Sequence, residues 1–406
     1  MQRASDGVAP SALAGLSFLV GDAASVKAMP GLRQLPIFDD GVLRFLNDLS
    51  KALLRAGRAY SDVATFGFWC RRSALLQEKL TYDDRDERLG SGVVFHSTPS
   101  NDPVNFAFSF ATGLLAGNAN IVRLPAKDFA QVRVICDAVR ELLAGEHQAL
   151  APYLAMLKYP PDKAITDALT SLCDTRVVWG GDATIAEMRQ SPLKPRANEI
   201  TFADRHSIAV IDADAYLASQ HKERIAQDFY NDTYFSDQNA CTAPRLVVWL
   251  GRSKAEAQRE FWASVYALAR EKYELAPVQA VGKLAALDLV ASRMRVRLVD
   301  GVDNLLYRVK ADELTPDLMR YKHNSGFFFE YDAEGLDDIL PIADERCQTL
   351  TYFGLKEEAL RAFFLASRPR GIDRAVPMGK SMDFTLVWDG HDLIRELSRR
   401  IIIGND

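Results

Sequence analysis

The sequence predicts a layered α/β fold in two domains. Three observations carry this reading. Strand-like and helix-like segments alternate along the 406 residues, the pattern of stacked sheet and helix layers. The length exceeds what one core fills, so at least two domains are expected. Neither a repeat nor a low-complexity tract nor a flexible linker interrupts the chain, so the domains must pack closely or interleave.

Taken in order, residues 93–95 read as a strand and the mostly apolar run 106–115 as a buried helix ended by Gly117-Asn118. Residues 120–124 follow as a second strand. Between 128 and 143, apolar residues fall at Val132, Ile135, Val139 and Leu142, one face of a helix, with Gly145 as its stop. Residues 177–179 form the next strand, leading through Gly180-Gly181-Asp182 into a helix from about 183. Further strands are expected at 207–211 and 246–250. Ser253 and Glu256 have the spacing of a capping box for a helix reaching 273. Later strands are read at 327–329, 349–352 and 384–388, and helices at 360–366 and 392–402.

Composition excludes several function classes. Hydrophobic residues at 48% and charged residues at 25% fit a soluble globular protein, and a net charge of -5 gives no support for nucleic-acid binding. No apolar stretch reaches the ~20 residues that span a bilayer. The run 12–21 is apolar, but its flank offers Arg3 with Asp6 and lacks the basic character of a secretory signal. Five cysteines without a CxxC pair, and six histidines without ligand spacing, predict neither a disulfide framework nor a metal site. A cytoplasmic enzyme is expected.

Cys241 lies on a small, polar loop directly before the apolar run 246–250, a good place for a nucleophile. Cysteine suits acyl transfer because its thiolate is strongly nucleophilic. Cys70, Cys136, Cys173 and Cys347 read instead as small core residues. Asn101 and Pro103 make a turn, and Gly180-Gly181, between a strand and a helix, can bring backbone N–H groups close to a phosphate. A GxGxxG fingerprint is absent.

Together the segments 99–103, 115–125 and 234–250 resemble the aldehyde dehydrogenase superfamily. The similarity is greatest to its LuxC-type fatty acyl-CoA reductase branch, which 64–72, 346–354, 370–374, 376–379 and 383–394 also resemble. The resemblance runs from about residue 40 to the end. It implies an aldehyde dehydrogenase-like fold: a Rossmann-like NADP-binding domain over 1–205, a catalytic domain over 206–379, and a C-terminal helix at about 380–406 packing back on the first. The catalytic cleft is expected between the two.

The family pattern puts a Gln three residues before the nucleophile and an Arg four after it, matched by Gln238, Cys241 and Arg245. Gln238 and Arg245 are expected to shape the loop. Asn101, 17 residues before Asn118, takes the place of the family's oxyanion donor, with Asn105 as the alternative register. Many NAD-using relatives carry an acid at the position of Lys127. A lysine there, with Arg123 nearby, attracts the 2′-phosphate that an acid would repel, so NADPH (NADP+) is the expected cofactor, held also by Gly180 and Gly181. Counting back from Asp212-Ala213-Asp214 puts Ile200 where hydrolytic relatives carry their general base, and Glu199 one position off. Glu199 is kept as a candidate catalytic residue, and His206 as a proton donor or a surface contact.

The resemblance therefore implies reduction of an acyl-CoA or acyl-carrier thioester to an aldehyde through an acyl-cysteine. It allows an acyl-activating partner enzyme and a homo-oligomer. Two alternatives stay open: a hydrolytic aldehyde dehydrogenase, and a non-redox acyl-carrying or scaffold subunit. Acyl chain length, the choice of donor and the pathway are not written in the sequence.

Overall fold

The computed structural model describes residues 13, 15–300 and 303–404; the flank of the 12–21 run at Arg3 and Asp6 lies outside them. The chain divides into two compact units, one running to Ala203 and resuming at Leu386, the other Asp204–Thr385.

The first unit is built on a six-stranded sheet. Its strands are β1 (Ser17–Val20), β3 (Val93–Ser97), β4 (Ala119–Arg123), β5 (Leu154–Lys158), β6 (Thr175–Trp179) and β7 (Asn198–Phe202), with a short β2 (Arg88–Gly90) outside it. The order is β1-β5-β4-β3-β6-β7, parallel except for the β1–β5 pair. Between β1 and β2 run α1 (Ala23–Ala28), α2 (Asp40–Ala56), α3 (Ser61–Trp69) and α4 (Arg72–Leu80). The crossovers are α5 (Asn105–Leu115), α6 (Ala130–Ala144), α7 (Lys163–Leu172) and α8 (Asp182–Met188). Helix α2 shows why the sequence takes this form. Asp39 accepts the N–H groups of Gly41 and Val42, and Val42, Phe45, Leu46, Leu49 and Leu53 line one buried stripe. Each such side chain contributes about 1.5–3 kcal/mol through burial.

The second unit carries a seven-stranded sheet. Its strands are β8 (His206–Asp212), β9 (Pro244–Leu250), β10 (Val296–Asp300), β11 (Tyr307–Ala311), β12 (Phe327–Asp332), β13 (Cys347–Phe353) and β14 (Arg374–Pro377), in the order β10-β11-β12-β9-β8-β13-β14. All neighbours are parallel except β10 and β11. The helices are α9 (Ala213–Ala218), α10 (Lys222–Asp232), α11 (Lys254–Lys272), α12 (Pro277–Ala291) and α13 (Glu357–Ser367). Strand β9 is buried along its whole length because both faces are covered. Val247 and Trp249 face a core shared with Phe229 of α10 and Phe261 of α11. Leu246 and Val248 face the opposite core, with Val290 of α12 and Phe363 of α13.

The tail returns to the first unit through β15 (Val387–Trp388), β16 (His391–Asp392), α14 (Leu393–Glu396) and β17 (Ser398–Arg400). Here the structure corrects the sequence. The expected helix over 392–402 is one turn, capped by Asp392, after which the chain pairs antiparallel with β2. Asn118 Nδ2 fixes the change by donating to Leu397 O at 2.8 Å. The expected strand 384–388 shrinks to a two-residue arm of a hairpin turning on Asp389 and Gly390, both left-handed. Ser253 does not cap α11 with its side chain; Asp214 accepts the N–H groups of Arg252 and Ser253 instead. Gly181 occupies the cap position of α8.

Candidate active site

The loop that carries Cys241 begins where α10 ends. One 3-10 turn, Tyr234–Ser236, leads into Asp237 and Gln238, both with φ of 51°. Two successive non-glycine residues in the left-handed region cost of order 1 kcal/mol or more each, so contacts elsewhere must hold them. Gln238 is fully buried and acts as a three-way brace. Its Nε2 donates to Pro244 O at 3.1 Å and Phe327 O at 3.3 Å, while its Oε1 accepts the Gly326 N–H at 2.8 Å. Arg245, the second residue of β9, donates to Gln238 O, to His323 O at 2.9 Å and to Asn324 Oδ1 at 2.6 Å. Burial lowers Arg245 to about 10, and charge on Asp237 and Cys241 opposes that fall. Arg245 thus carries its charge within electrostatic reach of Cys241.

Cys241 stands in the turn between this brace and β9, and it is exposed. The other four cysteines are buried. Burial pushes the Cys136 and Cys173 thiols up to about 12, and those of Cys70 and Cys347 well above the ordinary range. None of these four offers a thiolate near neutral pH.

The sequence reading missed two supports of the Cys241 loop. Ser207 Oγ, on β8, donates to Cys241 O at 2.7 Å and accepts the Thr349 N–H at 3.3 Å. Asp232, at the end of α10, is buried, and burial raises its carboxyl to about 6 despite bonds from Gly379 N–H, Ser381 N–H and Ser381 Oγ. The guanidinium of Arg374 holds the carbonyls of Lys380, Ser381 and Asp383. The segment so fixed brings Met382 Sδ within 3.4 Å of Thr242 Oγ1, next to Cys241. Spacing does not reveal partners as far apart as Ser207 and Cys241, or Asp232 and Ser381.

In the first unit, the strand order places the chain reversal between β3 and β6. Open α/β sheets bind ligands beyond the C-terminal ends of strands at such a point. Asn101 follows β3, Arg123 ends β4 with Lys127 just beyond, and Gly180-Gly181 follow β6, so all five share this edge. Asn101 is exposed in a bend before α5, and Asp102 Oδ1 holds that bend by accepting the Val104 and Asn105 N–H groups, both at 2.8 Å. Asn105 opens α5. Arg123 lies over the Tyr159 ring, 4.2 Å from its centroid, and exposed Lys127 lies 5.2 Å from that of Phe129. The Gly180 N–H donates to Phe202 O at 3.2 Å.

Beneath this edge lies a polar chain that the sequence did not announce. His96 Nδ1 meets Ser109 Oγ at 2.7 Å, His96 Nε2 meets Asn120 Oδ1 at 2.9 Å, and Trp179 Nε1 donates to Ser109 Oγ at 2.9 Å. Asn120 Nδ2 donates to Asn118 O, which turns its Oδ1 toward the ring and assigns the proton to Nε2. The chain links β3, β4, α5 and β6, the elements from which the Asn101, Lys127 and Gly180 loops spring.

Two sequence candidates fall elsewhere. Glu199 sits near the N-terminal end of β7, about 10 Å of strand from the loop edge. Both its oxygens are bound, one by Arg176 and the other by Arg189 at 2.7 Å. It therefore lies away from the loop edge that carries the other first-unit candidates. His206 is no surface residue either. It is buried at the start of β8, with Nε2 3.3 Å from Ile342 O. Among the described residues, Asp48, Glu146 and His147 approach with ligand-like spacing, but Asp48 already binds Lys51 at 2.7 Å and His147 at 3.1 Å. No helix among the described residues is long and apolar enough to cross a membrane.

Burial lowers both His96 and His206 to about 4. Both stay neutral when native, whereas an unfolded histidine takes a proton below pH ~6.5. Stability is therefore full above that value and falls as pH drops toward 4, by on the order of 3 kcal/mol per histidine over the whole window. Urea unfolding at pH 7, 6 and 5 should show the loss, and His96→Gln should reduce its slope. A slope identical in wild type and variant would contradict the His96 assignment.

The description of acyl-CoA reductases of the LuxC type matches residues 70–312, more than half the chain. The chain belongs to the LuxC acyl-CoA reductase family. This LuxC-family chain is 23% identical over 363 residues to a long-chain acyl-protein thioester reductase of Vibrio harveyi, covering 82% of this chain and 70% of the relative. In structure it resembles an oxidoreductase from Marinobacter aquaeolei, with a TM-score of 0.66, 12% identity, and 93% of this chain and 88% of the other covered. It also resembles an NAD-dependent aldehyde dehydrogenase from Sinorhizobium meliloti, with a TM-score of 0.64, 12% identity and coverage of 93% and 84%. At such identities the likeness shows the aldehyde dehydrogenase fold. The protein is an enzyme, an acyl-reducing and aldehyde-forming oxidoreductase of the LuxC family, as the sequence motifs implied.

Proposed function

We propose that the protein reduces an acyl-CoA, or an acyl group on a carrier thioester, to the free aldehyde with NADPH, through an acyl thioester on Cys241. The observation that carries the reading is the Cys241 loop. It presents the one exposed cysteine among the described residues, braced by Gln238 and Arg245.

In the first half-reaction the Cys241 thiolate attacks the acyl carbonyl carbon. The Asn101 Nδ2 group and the Cys241 N–H donate to the developing oxyanion, a contribution worth several kcal/mol when donors are preorganised. The oxyanion collapses, the bond to the donor sulfur breaks, and that thiolate leaves and takes a proton from solvent. NADPH, when bound, supplies the hydride that converts the acyl thioester to a hemithioacetal. The same donors hold its oxyanion until the carbon–sulfur bond to Cys241 breaks, releasing aldehyde and restoring the thiolate.

The cofactor reading rests on charge and place. Arg123 and Lys127 put two cations at the end of β4, where an acid would repel a 2′-phosphate, and the Gly180-Gly181 turn allows close approach at the end of β6. Lys127→Glu should lower the preference for NADPH over NADH about tenfold in fluorescence titrations, a charge reversal at an exposed site. An unchanged ratio would remove Lys127 from the cofactor site.

The direct test offers purified protein acyl-CoAs of four to sixteen carbons with NADPH, follows the absorbance and traps the aldehyde. Aldehyde formation with an acyl adduct on Cys241 in intact-mass spectra is expected. Carboxylic acid from aldehyde added with NADP+ or NAD+, without acyl-CoA reduction, would overturn the reading in favour of a hydrolytic dehydrogenase.

A further inference from the structure

Helix α12 lies behind the Cys241 loop and carries a lysine that the mechanism does not use. Lys283 is fully buried. Its Nζ donates to Ser325 O at 2.6 Å and to Asn304 O, and sits 5.1 Å from the Tyr307 ring centroid. A buried ammonium is costly, and burial lowers Lys283 to about 8 against the opposing charges of Asp237 and Asp303. The carbonyls it binds belong to two tight turns. Asn304 and Ser325 both have φ of 63° and Gly326 has 80°, so the turn at 325–326 has left-handed backbone at successive residues and needs an external tie.

That turn is the one that holds the Cys241 loop. Gly326 N–H bonds Gln238 Oε1, and His323 O and Asn324 Oδ1 receive Arg245. One helical turn before Lys283, on the same face of α12, Gln279 Nε2 donates to Asp237 Oδ2 at 2.9 Å. Tyr273 donates its hydroxyl to the other oxygen of Asp237. Helix α12 thus grips the loop twice, through Gln279 at Asp237 and through Lys283 at the turn that receives Gln238 and Arg245.

We propose that Lys283 is a positioning residue for acyl transfer: by tying down the 304 and 325 carbonyls it fixes Gln238 and Arg245, and through them the sulfur of Cys241 and the charge beside it. The proposal rests on the reading of Cys241 as the acylated residue. A methionine in its place has similar reach but no donor, leaving both carbonyls unsatisfied and the turn free to drift. A displacement of about 1 Å at a reacting group costs up to ~10²-fold in rate.

The test compares wild type with Lys283→Met and the milder Gln279→Leu. Two rates are measured: acylation of Cys241 by acyl-CoA in a single turnover, and its alkylation by iodoacetamide, which needs no substrate. For Lys283→Met we expect acylation and kcat to fall about 10- to 100-fold with the KM for acyl-CoA within about twofold. Alkylation should slow in parallel as Arg245 loses its place beside the sulfur. Gln279→Leu should move the same rates in the same direction by less. Wild-type rates in folded Lys283→Met would overturn the proposal. If that variant does not fold, wild-type rates in Gln279→Leu would overturn it. If wild type is alkylated but never acylated, the function proposed above falls, while slowed alkylation in the variants still upholds the positioning role.

Discussion

Replacing Cys241 with alanine should abolish aldehyde formation, by on the order of 10⁴-fold or more, and leave the fold intact. The size of the loss follows from the absence of a substitute, because Cys70, Cys136, Cys173 and Cys347 are buried with thiols held protonated. The small effect on stability follows from how the loop is built. Ser207 holds the carbonyl of residue 241, and the Gln238 and Arg245 contacts go mainly to backbone, so none depends on the sulfur. Shortening an exposed side chain in a loop held through its backbone changes stability by about 0.5 kcal/mol. Intact-mass spectra should lose the acyl adduct while the urea midpoint stays in place and the NADPH titration is unchanged. Turnover retained in the alanine variant would sink the covalent mechanism.

Asn101→Ala should lower the acylation rate by about 10²–10³, the usual effect of losing one oxyanion donor. Asn101 is exposed, and its bend is held by the Asp102 carboxylate, so removing its amide should barely disturb the turn. The rate loss can then be read as chemistry. It should appear in kcat and kcat/KM alike, because the oxyanion exists only on the way through the tetrahedral species. Asn105→Ala is the internal control, since Asn105 is the alternative register for the same role. A large loss at Asn105 with wild-type rates at Asn101 would transfer the assignment to the first residue of α5.

Much of this enzyme was legible in the residue order because its signals are local. The buried run of β9 directly after a small polar loop marked Cys241, and the spacing of Gln238 and Arg245 carried the family. The apolar stripe Val132, Ile135, Val139 and Leu142 is the period of α6, whose bounds came within a residue or two. Signals failed where local preference and tertiary contact disagreed. Leu393, Ile394, Leu397 and Ile401 have helical spacing, yet the chain leaves the helix after Glu396, because β2 offers it a partner strand and Asn118 binds Leu397 O. Glu199 lies one position from the expected base in the sequence, but β7 places it at the wrong edge of the sheet, beside Arg176.

The sequence by itself determined the family and several central strands, β3, β4, β6, β8, β9, β12 and β13, and it marked Cys241, since each of these signals depends on residues within a few positions of one another. Only the tertiary structure decided what supports the nucleophile. Ser207, Asp232 and Lys283 are distant in sequence from the groups they hold, and a hydrogen bond depends on the distance between two atoms in space, whatever the number of residues between them along the chain.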